Sequence, residues 1–281
     1  MAVSKLNPTL NPGGGFGDWA YVGSQPTGAE MFEFVADGNE QTNTIAGARY
    51  RVLRYYEIGD YILNFDRTGK IDLLVVAGGG TGGGFNQDNT TAQYVGGGGA
   101  GGYVAEYNRY VTDPTCTIKV GQPGQNVSNS WANGENSQFD DVVAIGGGKQ
   151  GANHNQPGSA GGSGGGGNYQ ALGGAGTTGQ GNDGGKSSNG GGGGGAGGAG
   201  NGVVGGPGLY RNWDGVWRWY CGGGMTGNNQ NHHQGQTPYK SHASIATPGN
   251  GGGGNYYDGG TGNETQYNGT RGIVIVRFRV G

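Results

Sequence analysis

The sequence predicts a mainly β protein, in which antiparallel sheet or sandwich elements combine with a glycine-rich stack of polyglycine or polyproline II helices. Little or no α-helix is expected, because glycine supplies 73 of the 281 residues and is a poor helix former. Apolar, β-branched runs at 71–77 and 272–278 frame the glycine-rich part and favour strands. Glycine also recurs at every third position in patches between residues 146 and 208.

That threefold spacing is clearest in the run Gly158, Gly161, Gly164 and Gly167. Three residues per turn is the repeat of the polyproline II helix, which makes no hydrogen bonds within itself. A collagen helix would need an unbroken register and abundant proline, whereas here the register slips and the chain holds nine prolines. Two interpretations remain: a flexible linker, or short helices that bond to each other through their backbones. We favour the second.

The bulk composition narrows the class of protein. Apolar residues make up 32% of the chain, below the usual value of about 45–50%, so a conventional core is small. The net charge of −3 predicts no nucleic-acid partner, since such binding needs a basic surface. No apolar run approaches the roughly 20 residues of a membrane span, and the N-terminus lacks the apolar segment of a signal peptide. We therefore expect a soluble protein.

Three parts follow each other along the chain. Residues 1–30, rich in Pro, Gly and Asn, are expected to be an extended attachment arm, with a frayed terminus as the alternative. Residues 31–145 form a β-rich part, and residues 146–281 form the glycine-rich part, which closes with a strand; 31–281 are expected to form one fold. The candidate strands lie at 32–35, 49–56, 61–65, 71–77, 103–107, 116–120, 141–145 and 272–280. The last is expected to pair centrally with 71–77.

Aromatic residues follow the main glycine block and are the candidate binding residues. Tyr and Trp offer large flat faces with a polar handle, which suit protein interfaces and stacking on sugar rings. The alternative is that the tryptophans fill the space against the sheet or a subunit interface, and the sequence leaves both open. The candidates are Tyr210, Trp213, Trp217, Trp219 and Tyr220 in the loop 209–221, with Tyr256 and Tyr257 in a second glycine block.

Motifs for catalysis or metal binding are weak. Gly184-Gly185-Lys186-Ser187 resembles the end of a phosphate-binding loop, but Gln180 occupies the position where that motif needs glycine. The adjacent His232 and His233 point in different directions on an extended chain and have no carboxylate cluster beside them. We expect no enzyme, no cofactor and no metal site. Whether Cys116 and Cys221 pair is left open.

The order of these blocks resembles the glycine-rich domain family found in bacteriophage virion proteins and some bacterial surface proteins. The resemblance covers about residues 45–281 and is carried by the segments 75–80, 96–103, 118–121, 136–139, 144–148 and 272–278. It is similar in principle to phage tail-tip adhesins, in which polyglycine II helices pack as a sandwich and display variable loops. The arm at 1–30 lies outside the pattern.

The resemblance implies a virion protein without catalytic residues, a fibre or tail-tip component that takes part in recognition of the host surface. The expected partners are other virion proteins, bound through residues 1–30, a host-surface glycan or protein, and further copies of the chain, with a trimer favoured. We expect the loops 85–95, 209–221, 226–246 and 255–268 to lie at one end and contact the host. The alternatives are a purely structural fibre or capsid-decoration protein and, less favoured, an ice-binding protein.

Overall fold

A computed structural model describes residues 34–35, 39–45, 47–65, 68–83, 95–125, 131–151, 155–226, 247–253 and 268–279. Within these ranges the chain is mainly antiparallel β-sheet without α-helix, which confirms the predicted β class. The strands are β1 (Phe34–Val35), β2 (Asn39–Ile45), β3 (Ala48–Tyr55), β4 (Gly59–Phe65), β5 (Gly69–Val76), β6 (Tyr103–Val111), β7 (Thr115–Val120), β8 (Ser137–Phe139), β9 (Val142–Ala144), β10 (Leu209–Asn212), β11 (Trp217–Tyr220) and β12 (Ile273–Arg279).

Two five-stranded sheets contain most of these strands. Sheet A has the order β1-β4-β7-β8-β9, and sheet B has the order β2-β3-β12-β5-β6. The predicted pairing of the closing strand is confirmed: Ile273 lies opposite Val76 and Val276 lies opposite Leu73. Because β3 flanks β12 on its other side, the last strand of the chain occupies the centre of sheet B. Strands from the two predicted parts, 31–145 and 146–281, thus share one sheet.

The main core lies between the two sheets. Alternate residues of β7, such as Cys116 and Ile118, are buried and join Leu53, Leu73 and Val75 of sheet B in one apolar cluster. The opposite face of sheet B is buried as well, in a second cluster. Burial on both faces explains why β5 and β12 are almost continuously apolar rather than alternating.

The glycine-rich segments are joined by backbone hydrogen bonds, and residues 97–102 form a central row. The N–H groups of this row turn through three directions, so residues three apart donate to the same neighbouring segment. The donors are Gly97 and Ala100 to segment 191–194, Gly98 and Gly101 to segment 249–252, and Gly99 and Gly102 to segment 145–148. The carbonyl groups of the row accept bonds from segments 77–80 and 163–166 and from Gly224.

A β-strand bonds to only two neighbours, one on each edge, so this central row is not part of a sheet. Residues 155–208 contribute many of the surrounding bonds and are an ordered part of the structure. The linker interpretation of the glycine block is therefore wrong.

Close approach explains why five of the six residues of the central row are glycines. A Cβ atom built on Gly98 would lie 2.2 Å from the carbonyl oxygen of Gly80 and 2.7 Å from the carbonyl carbon of Thr81. Both are backbone atoms, which cannot rotate away as a side chain would. Glycine is required here by packing rather than by any ligand.

Both cysteines, Cys116 and Cys221, are free thiols and are buried, so the disulfide that the sequence left open is not formed. Burial raises the pKa of each thiol. We expect neither thiol to react with a disulfide reagent at mildly alkaline pH while the protein is folded, and both to react after denaturation. Rapid labelling of the folded protein would contradict this burial.

The same shifts predict how stability depends on pH. A thiol whose pKa is higher in the folded state makes its full contribution to the free energy of unfolding below the pKa of the unfolded thiol, about 8.5. This contribution is lost as the pH rises further. The denaturant midpoint should therefore fall above roughly pH 8.5. Replacing both cysteines with alanine should flatten part of that decline.

Several predictions lie outside the described residues. These are the arm 1–30, the insert residues 85–94, 227–246 and 255–267, and the candidates Tyr256 and Tyr257. Within the described ranges, no helix has the length and apolar character needed to cross a bilayer.

Candidate functional site

The segment predicted as the loop 209–221 is instead an antiparallel β-hairpin, formed by β10 and β11. Tyr210 lies opposite Trp219, and Asn212 lies opposite Trp217. The prediction of a loop is corrected because Tyr and Trp are good strand formers and Gly215, with φ of 88°, supplies the turn conformation that other residues rarely adopt. We call this segment the hairpin.

One side of the hairpin, its front face, carries Tyr210, Trp217 and Trp219, because residues two apart on a strand share a face. The Tyr210 ring lies 5.2 Å from the Trp217 ring and 5.1 Å from the Trp219 ring, measured between centroids. Tyr210 keeps 45% and Trp217 58% of its surface exposed. These three side chains therefore form one aromatic surface, which is open to solvent at Tyr210 and Trp217 and half-buried at Trp219.

Trp213 anchors the turn of the hairpin to sheet B. Its side chain is buried, and its indole N–H donates a hydrogen bond to the hydroxyl of Tyr103 at 2.8 Å. The ring of Tyr107 stacks on it with centroids 5.2 Å apart. Burial raises the pKa of Tyr103 to about 12, against a smaller opposing effect of the bond from Trp213. The buried phenol thus stays neutral and available as an acceptor.

Asp214, the next residue, is a second anchor. Its side chain is fully buried, and one carboxylate oxygen accepts hydrogen bonds from Arg54 at 3.1 Å and from Arg218 at 2.8 Å. Arg54 belongs to sheet B and Arg218 to β11, so the carboxylate joins the hairpin to the sheet beneath it. Removing one partner of such a buried pair leaves an uncompensated charge, which costs several kcal/mol.

Arg277 of β12 completes the anchor and was not identified from the sequence. Its guanidinium carbon lies 4.3 Å from the ring centroid of Trp213 and 4.8 Å from that of Tyr50. It donates to the carbonyl oxygens of Asn212 and Trp213 at 3.3 Å and pairs with Asp72 at 3.2 Å. A buried arginine inside an apolar strand is the signal that could have revealed it.

The structure separates the candidate residues into groups. Tyr210, Trp217 and Trp219 lie together on the front face, whereas Trp213 and Tyr220 are buried beside sheet B. For these last two, the side chains fill the space against the sheet, which is the alternative that the sequence left open.

The prediction that the hairpin and the other inserts share one end stays a prediction, because the inserts other than the hairpin lie outside the described residues. The hairpin contacts Tyr103, which follows the central row directly at Gly102. Gly83 and Gly253, which precede the inserts 84–94 and 254–267, lie toward the other end of that row: Gly83 donates to Gly96, and Gly252 accepts from Gly98.

The chemistry of the front face is that of a binding surface. Exposed aromatic rings stack on flat apolar surfaces, and the phenol and indole groups add hydrogen bonds. Across the part of the chain that the structure describes, no three His, Cys, Asp or Glu residues come together in a way that could hold a metal ion.

Comparison with known families gives one match, to a family described as Glycine-rich domain, over residues 57–279. The matched range begins just before β4 and ends with β12, so it includes the glycine-rich segments and the hairpin. No curated protein matches the chain.

Proposed function

Because the chain belongs to the glycine-rich domain family, we propose that it is a non-enzymatic bacteriophage virion protein, part of a fibre or tail tip. In this role it takes part in recognising a glycan on the host surface, and residues 1–30 attach it to other virion proteins. The observation that carries the proposal is the front face of the hairpin, where Tyr210 and Trp217 stay exposed beside the half-buried Trp219 on an anchored element.

The glycine-rich segments act in this proposal as a stack of polyglycine II helices that holds the binding element in place. Support comes from the central row, whose donors return to the same neighbouring segment every third residue. That is the repeat of a helix with three residues per turn, which satisfies its backbone through neighbours because it has no internal bonds. Such a stack needs little apolar core, which suits a chain with 32% apolar residues.

The second candidate is a purely structural virion protein whose exposed apolar residues contact neighbouring subunits. Ile62, with 60% of its surface exposed, and Leu172, with 66%, lie outside the hairpin and favour this role. Exposed apolar side chains are typical of protein contacts where they form a contiguous patch. Both candidates agree with a homo-oligomer, for which we favour a trimer.

An adsorption assay tests the first candidate. The labelled full-length chain is incubated with a panel of bacterial strains, beside a variant with Trp217 and Trp219 both replaced by alanine. We expect the natural chain to adsorb to some strains and the variant to lose at least about tenfold in affinity, as for interface residues at the centre of a contact. Replacing the exposed Tyr110 of β6 with alanine is the matched control and should change nothing.

Electron microscopy of phage particles with labelled antibody against the chain tests the virion role itself. Labelling at the tail or fibre supports the first candidate, and labelling over the capsid supports the second. If no particle that encodes the chain is labelled, the chain is not a virion protein. Equal adsorption of the tryptophan variant and the natural chain would show that the front face does not bind the host.

A further inference from the structure

We propose that the front face binds an uncharged glycan chain that lies along β11, with Trp217 and Trp219 stacking on two neighbouring sugar units. This inference rests on the proposed function, because it names the ligand class for the same surface. Its basis is the distribution of charge between the two sides of the hairpin, together with the spacing and the anchoring of the rings.

Side chains alternate between the two faces of a strand, and as a result no charged residue of β10 or β11 lies on the front face. Tyr210 and Asn212 of β10 face the same way as their partners Trp219 and Trp217 of β11. The charged residues Arg211 and Arg218, which are also opposite each other, fall on the back. There Arg218 is engaged by the buried carboxylate of Asp214 at 2.8 Å. An anionic polymer would need cations beside the rings, and this face offers none.

The spacing of the rings suits a polymer rather than a single sugar. Residues two apart on a strand are separated by about 6.6 Å, so Trp217 and Trp219 present two stacking positions in line along β11. Tyr210 lies against both rings, at 5.2 Å and 5.1 Å, and fills the space between them. Because the face of a strand pair is open along the strand direction, a chain can continue past both positions.

The back of the hairpin keeps this surface in place before any ligand arrives. Tyr220 is buried at the end of β11. Arg218, in the same strand, is paired with the buried carboxylate of Asp214. Trp213 fixes the turn through its bond to Tyr103. A surface that is ordered in advance loses less conformational entropy on binding, which matters for weak stacking contacts.

A glycan fits this face better than a protein does. The centre of a protein interface usually combines aromatic with other apolar side chains over about 800 Å² on each partner. The front face of the two strands consists of aromatic rings and one amide. Among the described residues, the exposed aliphatic side chain of Val216 lies in the turn of the hairpin, and those of Ile58, Ile62 and Leu172 lie outside the hairpin. Tyr and Trp rings can stack on sugars, and their hydroxyl and indole N–H groups can form hydrogen bonds to sugar hydroxyls. This face has such rings without aliphatic neighbours on the same strands.

Affinity electrophoresis of the full-length chain tests the ligand class. The probes are the uncharged polysaccharides dextran, soluble starch and galactomannan, and the anionic polysaccharides alginate and dextran sulfate, each cast into a native gel. We expect at least one uncharged polysaccharide to retard the chain, with a Kd that added salt leaves unchanged. Trp217→Ala and Trp219→Ala should each weaken retardation by about tenfold or more, Trp217→Phe should restore part of it, and Tyr110→Ala should match the natural chain.

Retardation by the anionic polysaccharides alone, or retardation that disappears with added salt, would overturn the inference. So would the absence of retardation by any uncharged probe, or full retardation of the Trp217→Ala chain. A cell assay separates this failure from failure of the proposed function. Periodate, which cleaves sugar diols, should abolish adsorption to cells, and protease treatment should not. If adsorption still depends on the tryptophans but survives periodate and is lost after protease treatment, the receptor is a protein. That result would support host recognition by the front face and contradict the glycan ligand.

Discussion

Replacing Gly98 with alanine should destabilise the protein by about 2–6 kcal/mol, the largest effect that we expect from a single methyl group. The new Cβ would lie 2.2 Å from the carbonyl oxygen of Gly80, and the backbone can relieve that contact only by moving the central row. Moving the row breaks the bond from Gly98 to Gly252 and the bond from Gly224 to Gly98, at 2.8 and 2.9 Å. Overpacking costs about 1–3 kcal/mol, and each lost bond adds about 0.5–1.5 kcal/mol.

The measurement is denaturant unfolding followed by circular dichroism, with Gly198→Ala as the matched control. Gly198 lies in the glycine block 146–208, but a Cβ there would meet only the side chain of Pro207, at 3.2 Å and beyond. We expect a change of less than about 1 kcal/mol in that variant. Since a domain has only about 5–15 kcal/mol of total stability, the Gly98 variant should melt far earlier. Equal stability of the two variants would show that the close approach of the central row to its neighbouring segments is not needed for folding.

Replacing Trp213 with alanine should cost about 3–5 kcal/mol, the range for removing a large buried aromatic side chain. The loss has three sources: the cavity against sheet B, the orphaned hydroxyl of Tyr103, and the guanidinium of Arg277, which loses the ring 4.3 Å away. The hairpin should detach before the sheets unfold, because its own strands are only four residues long. Tryptophan fluorescence and hydrogen exchange of β10 and β11 would report that detachment.

Trp217→Ala is the control, since it removes the same side chain four residues away at a position that is 58% exposed. We expect it to change the unfolding free energy by less than about 0.5–1 kcal/mol, as for most surface substitutions, while ligand binding is lost. Trp213→Ala should lose both stability and binding. If Trp217→Ala destabilised the chain as much as Trp213→Ala, the front face would be part of the packing and not a free surface.

The pair β5 and β12 shows what could be predicted from the sequence. Both strands are short runs of Val, Ile and Leu between glycines, and such runs have few alternatives to a buried strand. We could predict that they pair with each other, because they are the two most apolar segments in a chain with little else to bury. By contrast, β2 (Asn39–Ile45) is polar at every residue except the last and so carries no apolar pattern. It exists because β3 offers it a free edge.

The hairpin shows what could not be predicted. The sequence singled out its aromatic residues as candidates, but it did not indicate which rings would be buried, because Trp213 and Trp217 are chemically the same residue. Sheet B decides between them: Tyr103, Tyr107 and Arg277 surround Trp213, and nothing in the local sequence of the hairpin records their positions. The position of the hairpin at one end of the central row likewise depends on the direction in which that row runs.

By itself, therefore, the sequence determined the class of the protein: a β fold with a glycine-rich part that is ordered rather than a linker, an apolar closing strand, and an aromatic segment as the candidate for binding. These follow from composition and local periodicity, which act over a few residues. Tertiary structure decided which glycines must lack a side chain, which tryptophans anchor the hairpin and which remain free. Those outcomes depend on contacts between segments far apart in the chain, such as Trp213 with Tyr103 and Gly98 with Gly252, and only folding brings those partners together.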